Sequence, residues 1–246
     1  MNQDVAVKIF EAGRSAGADF VEIFEEETRS SCLGLKDRHI ETATAGTEYG
    51  IGVRLLYGTE VLYGFTSDDS EEALVKLVRT LAFGRIFGAA PKSFEFAPEK
   101  RVCDFNQAAY KDPRLLGQAI KQDFLFRADN AARALSPKIA QVGASVVDSC
   151  TAITLMNSEG LHLEMTRGRL RVNVNVTATD GTERSTSHEA PGALGGYELL
   201  GNYSPEELAS ITGERVLRML DAGYIAGGQM PVGMGNGFGG VIFHEA

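Results

Sequence analysis

From Val172 the chain alternates without a break: Val172, Val174, Val176 and Ala178 are apolar, and Asn173, Asn175, Thr177 and Thr179 between them are polar. A period of two puts every apolar residue on one side of an extended strand, so the segment needs a sheet with one buried and one wet face. Asp180-Gly181 closes it with a turn pair suited to a hairpin. Further extended runs stand close by, at Ala140 to Val146, Ala152 to Met156 and Leu161 to Met165, the last following the turn residues Asn157-Ser158-Glu159-Gly160. Strands this close in sequence have no room for crossover helices, so they read as an antiparallel meander and not as a βαβ series.

The rest of the chain punctuates these strands with helices. Val5, Ile9, Ala12 and Ala16 fall at helical spacing, which predicts an amphipathic first helix ending near Gly17. Phe20 to Glu26 is rich in strand formers. Ile51, Val53, Leu55 and Tyr57 lead into Gly58-Thr59, which predicts a hairpin returning through Val61 to Phe65. Asp68-Asp69-Ser70-Glu71-Glu72 puts carboxylates at the positive end of a helix whose apolar face is Leu74, Leu77, Val78 and Leu81. Periodicity fades from Ala89 to Asn106 around Pro91 and Pro98, so a linker is expected there. Asp112-Pro113 then opens a helix to about Leu135, stopped by Ser136-Pro137. Ser204-Pro205-Glu206-Glu207 opens another, to about Leu220. Helices at the ends of strand groups predict an α+β class, antiparallel sheets with flanking helices, in two units spanning residues 1–98 and 99–222.

Composition removes several functional classes. The net charge of −9, with a local cluster at Glu22, Glu25, Glu26 and Glu27, repels phosphate backbones, and no basic stripe appears, so nucleic acid is not an expected partner. No apolar run approaches a membrane span, and Met1-Asn2-Gln3-Asp4 does not open a secretory signal, so a cytoplasmic location is expected. Cys32, Cys103 and Cys150 lie far apart and read as ordinary thiols. No serine sits in a G-x-S-x-G elbow.

Two His-Glu pairs remain, His188-Glu189 and His244-Glu245. A His-Glu pair on a helix is the start of one kind of metallopeptidase site, in which the His binds the metal and the Glu acts as general base. Pro191-Gly192 after the first pair ends any helix, so it reads as a surface loop. The second pair follows a glycine-rich approach and the apolar run Val241-Ile242-Phe243. That approach contains Gly235-x-Gly237-x-x-Gly240, letter for letter a dinucleotide fingerprint, but without the preceding strand or the later acidic residue the fingerprint requires. His39 and His162 have no partner at ligand spacing and read as structural.

The segment from Met230-Pro231-Val232 to His244-Glu245-Ala246 resembles the entry to the HExxxH motif of the TldD/PmbA family, historically called modulators of DNA gyrase. Ala18-Asp19-Phe20-Val21-Glu22-Ile23, Tyr49-Gly50-Ile51-Gly52-Val53-Arg54, Asn157-Ser158-Glu159-Gly160 and Gly195-Gly196-Tyr197-Glu198 resemble further family landmarks, in family order. The resemblance implies a zinc metallopeptidase for short or unfolded peptides, represented by its N-terminal half, with residues 223–246 opening the catalytic region. It implies His244 as a metal ligand and Glu245 as general base on the metal-bound water. A second His five residues after His244, and a cysteine further on, would complete the ligand set beyond Ala246. Five residues turn an ideal helix by roughly 140° past a full turn, so the family's helix must deviate locally to aim both imidazoles at one ion. A His-Glu pair at this place points to the TldD lineage, since PmbA lacks the motif. The resemblance also implies an enclosed dimer with a PmbA-like subunit. Self-association is the other pairing expected, with Ile51 to Phe65 and Val172 to Ala178 as the candidate sheet edges. The alternative reading is a non-catalytic partner or substrate-gating module of such a complex, because one imidazole cannot hold catalytic zinc.

Overall fold

The structure, a computed structural model, describes residues 1–85, 90–93, 97, 99–104 and 117–245. The chain order is α1 (Gln3–Ser15), β1 (Phe20–Lys36), β2 (His39–Tyr57), β3 (Glu60–Thr66), α2 (Glu71–Phe83), β4 (Glu99–Asp104) and α3 (Gln118–Ala134). There follow β5 (Ile139–Asn157), β6 (Leu161–Thr179), β7 (Arg184–Glu189), β8 (Gly192–Leu194), α4 (Pro205–Leu220) and α5 (Val241–Glu245). Among the described residues eight strands form one sheet in the order β3-β2-β1-β5-β6-β4, with β7 and β8 also paired to β6. All pairings are antiparallel except that of β4 with β6. The α+β class expected from the sequence is the one observed.

The strands are far longer than their sequence signals. β5 and β6 each run 19 residues, roughly 60 Å at an extended rise. The runs read separately at Ala140 to Val146 and Ala152 to Met156 are one strand, and so are Leu161 to Met165 and Val172 to Ala178. β1 explains why. Its side chains facing the helices are Val21 and Ile23, then Glu25, Glu27, Arg29 and Ser31, then Leu33 and Leu35. Each apolar end serves a different core, and the polar middle lies between them.

One core packs α1 and α2 against the sheet through Ile9, Phe10, Val21, Ile51, Leu74 and Val78. The other packs α3 and α4 against it through Leu33, Leu125, Val146, Val174, Ala209 and Val216. Strand parity puts both helix pairs on the same face, because β1 and β5 stay in register without a bulge from Glu22↔Asn157 to Lys36↔Gly143. No described helix covers the opposite face.

The turns are held by side chains. Asp37 and Arg38 both have positive φ, at 47° and 68°, in a tight β1–β2 connection where glycine or asparagine would be expected. The Asp37 carboxylate compensates by accepting from Val142 N–H at 3.1 Å and from Arg133 Nη2 at 2.6 Å, which ties the turn to β5 and α3. At the β5–β6 turn, Asn157 Oδ1 accepts from the amides of Glu159 and Leu161, and Ser158 Oγ accepts from Val21 N–H at 3.1 Å. Gly160, at φ 97°, completes this turn, and a Cβ there would lie 2.6 Å from the Ala97 carbonyl oxygen.

Four expectations change. The stretch from Ala89 to Asn106, expected as a linker, contains β4, whose charged sequence Glu99-Lys100-Arg101 shows no alternation and which is ordered by pairing with the free edge of β6. His188-Glu189 is not in a loop: it ends β7, with His188 opposite Asn175, because β6 offers a second edge for pairing. That pairing also removes Val172 to Ala178 from the candidate sheet edges, since β5 lies on one side and β7 and β8 on the other. The β2–β3 hairpin is as expected and leaves β3 at the sheet edge, but the edge extends along Glu41 to Glu48 of β2, beyond the end of β3. The helix start expected at Asp112-Pro113 lies outside the described residues.

The start of α4 is as the sequence indicates, with Ser204 Oγ accepting from Glu207 N–H at 3.3 Å. Arg127 on α3 grips Glu206 with two bonds, 2.7 and 2.8 Å, and this hydrogen bonding pulls the Glu206 carboxyl down to about 2. A depressed carboxyl contributes stability above its unfolded value, about 4.3, and loses it as pH falls toward 2. Glu206→Gln should therefore flatten the acid limb of a melting-temperature profile between about pH 4.5 and 2. At neutral pH it should cost at most about 2–4 °C, because both side chains are half-exposed. An unchanged acid limb in the variant would mean that the pair carries no stability.

Candidate functional site

His244 and Glu245 lie on α5, a five-residue helix entered through a tight turn at Phe238–Gly240. Gly237, at φ 89°, supplies the left-handed conformation that starts the turn. Gly235 and Gly240 meet nothing within contact distance, so the fingerprint-like glycines serve chain direction and hold no close-packed backbone. Both His244 and Glu245 are exposed, as is nearly all of the chain after Leu220.

The other histidines stand elsewhere. His39 Nδ1 is 2.8 Å from the Asp37 carbonyl oxygen at the first turn. His162 is buried in β6, with Nε2 3.2 Å from Glu164 Oε1. His188 is exposed on β7. Cys32 is half-buried and Cys150 buried, with no disulfide between them, and the Cys103 side chain lies outside the described residues. Among the described residues no three His, Cys, Asp or Glu side chains come close enough to hold a metal ion. Zinc in a catalytic site takes three protein ligands and keeps a position open. The donor set here, one exposed imidazole beside one carboxylate, does not compose such a centre by itself.

What the sequence did not disclose is the polar band between the two cores. Lys121, on the first turn of α3, is 6% exposed, and Asp148, in the middle of β5, is 4% exposed. The Lys121 ammonium donates to Asp148 Oδ2 and to Ser31 Oγ, the latter at 2.6 Å, and Ser31 in turn donates to Asp148 at 2.7 Å. At the other end of the polar band, six residues along β1 from Ser31, Glu25 accepts from Tyr49 Oη at 2.8 Å. Burial, and then that carboxylate, hold the Tyr49 phenol protonated well above its usual range. A cavity of about 700 Å³ opens against this band, lined by Arg29, Ser31, Ala45, Gln118, Lys121 and Asp148. One signal was available in the sequence: on the helix-facing side of β5, Asp148 interrupts the series Val142, Ala144, Val146.

Two family models match the chain. The PmbA/TldA metallopeptidase domain 1 matches residues 21–84, and the PmbA/TldA metallopeptidase central domain matches residues 111–220. Together they take in well over half of the sequence. The chain belongs to the PmbA/TldD family. In this family's terms, the first matched region holds β1 to β3 and α2, the second holds α3, β5 to β8 and α4, and the β1–β5 ladder joins them.

Relatives agree. A metalloprotease of Methanothermobacter thermautotrophicus is 26% identical over 233 residues, which cover 93% of this chain and 49% of the relative. A metalloprotease TldD homolog of Buchnera aphidicola is 23% identical, covering 86% of this chain and 45% of the relative. The chain thus spans about half the length of the curated relatives it matches. Among solved structures, a proposed modulator of a DNA gyrase from Thermotoga maritima superposes with a TM-score of 0.71 at 19% identity, over 92% of this chain and 50% of that one. TldE from Thermococcus kodakarensis superposes at 0.66 with 13% identity, over 87% and 47%. These likenesses show the shared fold. No helix among the described residues is long and apolar enough to cross a membrane.

Proposed function

We propose that this chain is the N-terminal and central portion of a TldD-like zinc metallopeptidase acting on short or unfolded peptides, with His244 as a metal ligand and Glu245 as general base. The observation that carries the reading is the position of His244-Glu245 on a helix, entered through glycines, C-terminal to two matched metallopeptidase domains, the second of which ends at residue 220. The metalloprotease names of its relatives support the reaction class. In this reading the remaining metal ligands belong to a protein of the relatives' length, and the two residues act within it.

The test uses two proteins. A protein of the relatives' length containing this sequence should hydrolyse unstructured peptides, lose that activity on chelation and regain it with zinc. His244→Ala in that protein should lower the zinc content measured by elemental analysis. The chain of 246 residues should show no tight, stoichiometric zinc binding by calorimetry. Tight binding in the shorter chain, abolished by His244→Ala, would overturn the assignment of the other ligands to a further segment.

One observation favours a second reading, a non-catalytic partner or substrate-gating module: the described residues hold no three-ligand group. The coding sequence beyond codon 246 separates the two. An open frame with a His five residues after His244 supports the enzyme, and a stop codon supports the module.

A further inference from the structure

The face of the sheet opposite the helices carries a groove near β3. Register places Phe24 of β1 opposite Gly52 of β2, and Gly52 opposite Phe65 of β3. One row along, Glu26 stands opposite Gly50, and in the next row Thr28 stands opposite Glu48. Two successive positions of β2 on this face therefore have no side chain. At the Gly52 row Phe24 and Phe65 wall a trough two strand spacings, about 10 Å, across, and at the Gly50 row, past the end of β3, Glu26 walls one side. Tyr63 leans into it, so close to Gly52 that a Cβ there would lie 2.5 Å from the phenolic oxygen and 2.9 Å from the ring. The resulting groove is about 270 Å³, lined by Phe24, Tyr63, Phe65, Glu26 and Glu48.

Its chemistry is selective. The three rings are 37%, 59% and 77% exposed, so they present faces to solvent instead of filling a core. Among the described residues neither Glu26 nor Glu48 has a cationic partner: Glu26 Oε1 accepts only from Thr28 Oγ1 at 3.2 Å, and the neighbouring Arg54 is held by Glu22 at 2.7 Å. Aromatic walls with unneutralised carboxylates at one end suit a cation carried on an apolar stem. An anionic ligand would be repelled, and an aliphatic one would desolvate the carboxylates for nothing. The net charge of −9 attracts the same ligands from a distance.

We propose that this groove binds a lysine or arginine side chain of an extended peptide. The choice of a peptide rests on the proposed function; the choice of a cation rests on the groove. Binding, unlike cutting, needs only this chain, so the two readings fail separately. The probe is a blocked alanine-based hexapeptide carrying one central arginine, titrated calorimetrically into the 246-residue chain, alongside the same peptide with glutamine or glutamate in that position. The arginine peptide should bind about tenfold more tightly than the glutamine one, weaken with added salt, and far exceed the glutamate one. Phe65→Ala and Glu48→Gln should each weaken arginine-peptide binding about threefold to tenfold, with circular-dichroism melts unchanged because both side chains are exposed. Equal affinity for the arginine and glutamine peptides, or indifference to both substitutions, would overturn the proposal. So would a dimer in sedimentation that Phe65→Ala disperses while the arginine peptide fails to bind, since the groove would then be an interface between copies.

Discussion

Asp148→Ala is expected to cost about 3–5 kcal/mol of folding stability. Lys121 has its ammonium in the band between the cores and depends on two oxygens, those of Asp148 and Ser31. Removing the carboxylate leaves a buried cation with one neutral acceptor. The desolvation already incurred by the lysine is then no longer offset. The pair as a whole contributes far less than this number. Replacing both partners at once, Lys121→Met with Asp148→Leu, should recover most of the loss, because an apolar pair needs no compensation. Urea unfolding of the two single variants and the double variant separates these cases. A loss below about 1 kcal/mol for Asp148→Ala would mean that water from the adjoining cavity already solvates the lysine.

Glu245→Gln, made in a protein of the relatives' length, is expected to lower peptide turnover about 10²- to 10⁴-fold, the range general-base catalysis supplies. The amide keeps the shape and the hydrogen-bonding reach of the carboxylate but cannot accept a proton from the attacking water. Metal content should be unchanged, which distinguishes this variant from His244→Ala. In the structure Glu245 is exposed on a short helix with no group described as holding its carboxylate in place. Near-normal turnover in the variant, with metal bound, would assign the base to another residue.

The local signals carried well. The α1 periodicity, the Gly58-Thr59 hairpin, the helix start within Asp68 to Glu72, the Ser204 cap and the Asp180-Gly181 turn all appear where the residues indicated, because each depends on a few neighbouring dihedrals and hydrogen bonds. The candidate site was half legible. His244 and Glu245 could be singled out as a chemical pair, but only a resemblance gave them roles. The Lys121, Ser31 and Asp148 cluster was not legible, since Ser31 and Asp148 are 117 residues apart and nothing local marks their adjacency. β4 was missed for a similar reason: its charged residues have no pattern of their own and become a strand only because β6 offers an edge.

By itself the sequence determined the antiparallel α+β class and the helices and hairpins that carry a local signal, since period-two and helical spacings are properties of neighbours along the chain. Only the tertiary structure decided that the short runs at either end of β1, β5 and β6 are single strands of 17 to 19 residues serving two cores. A strand that passes from one core to another carries polar residues on its helix-facing side between them, so the polar middle reads as an ending when it is a crossing. The groove is likewise a product of register. Phe24, Gly52 and Phe65 share one row because β1, β2 and β3 pair without slip at that level, and a shift of one residue would carry every one of these side chains to the other face.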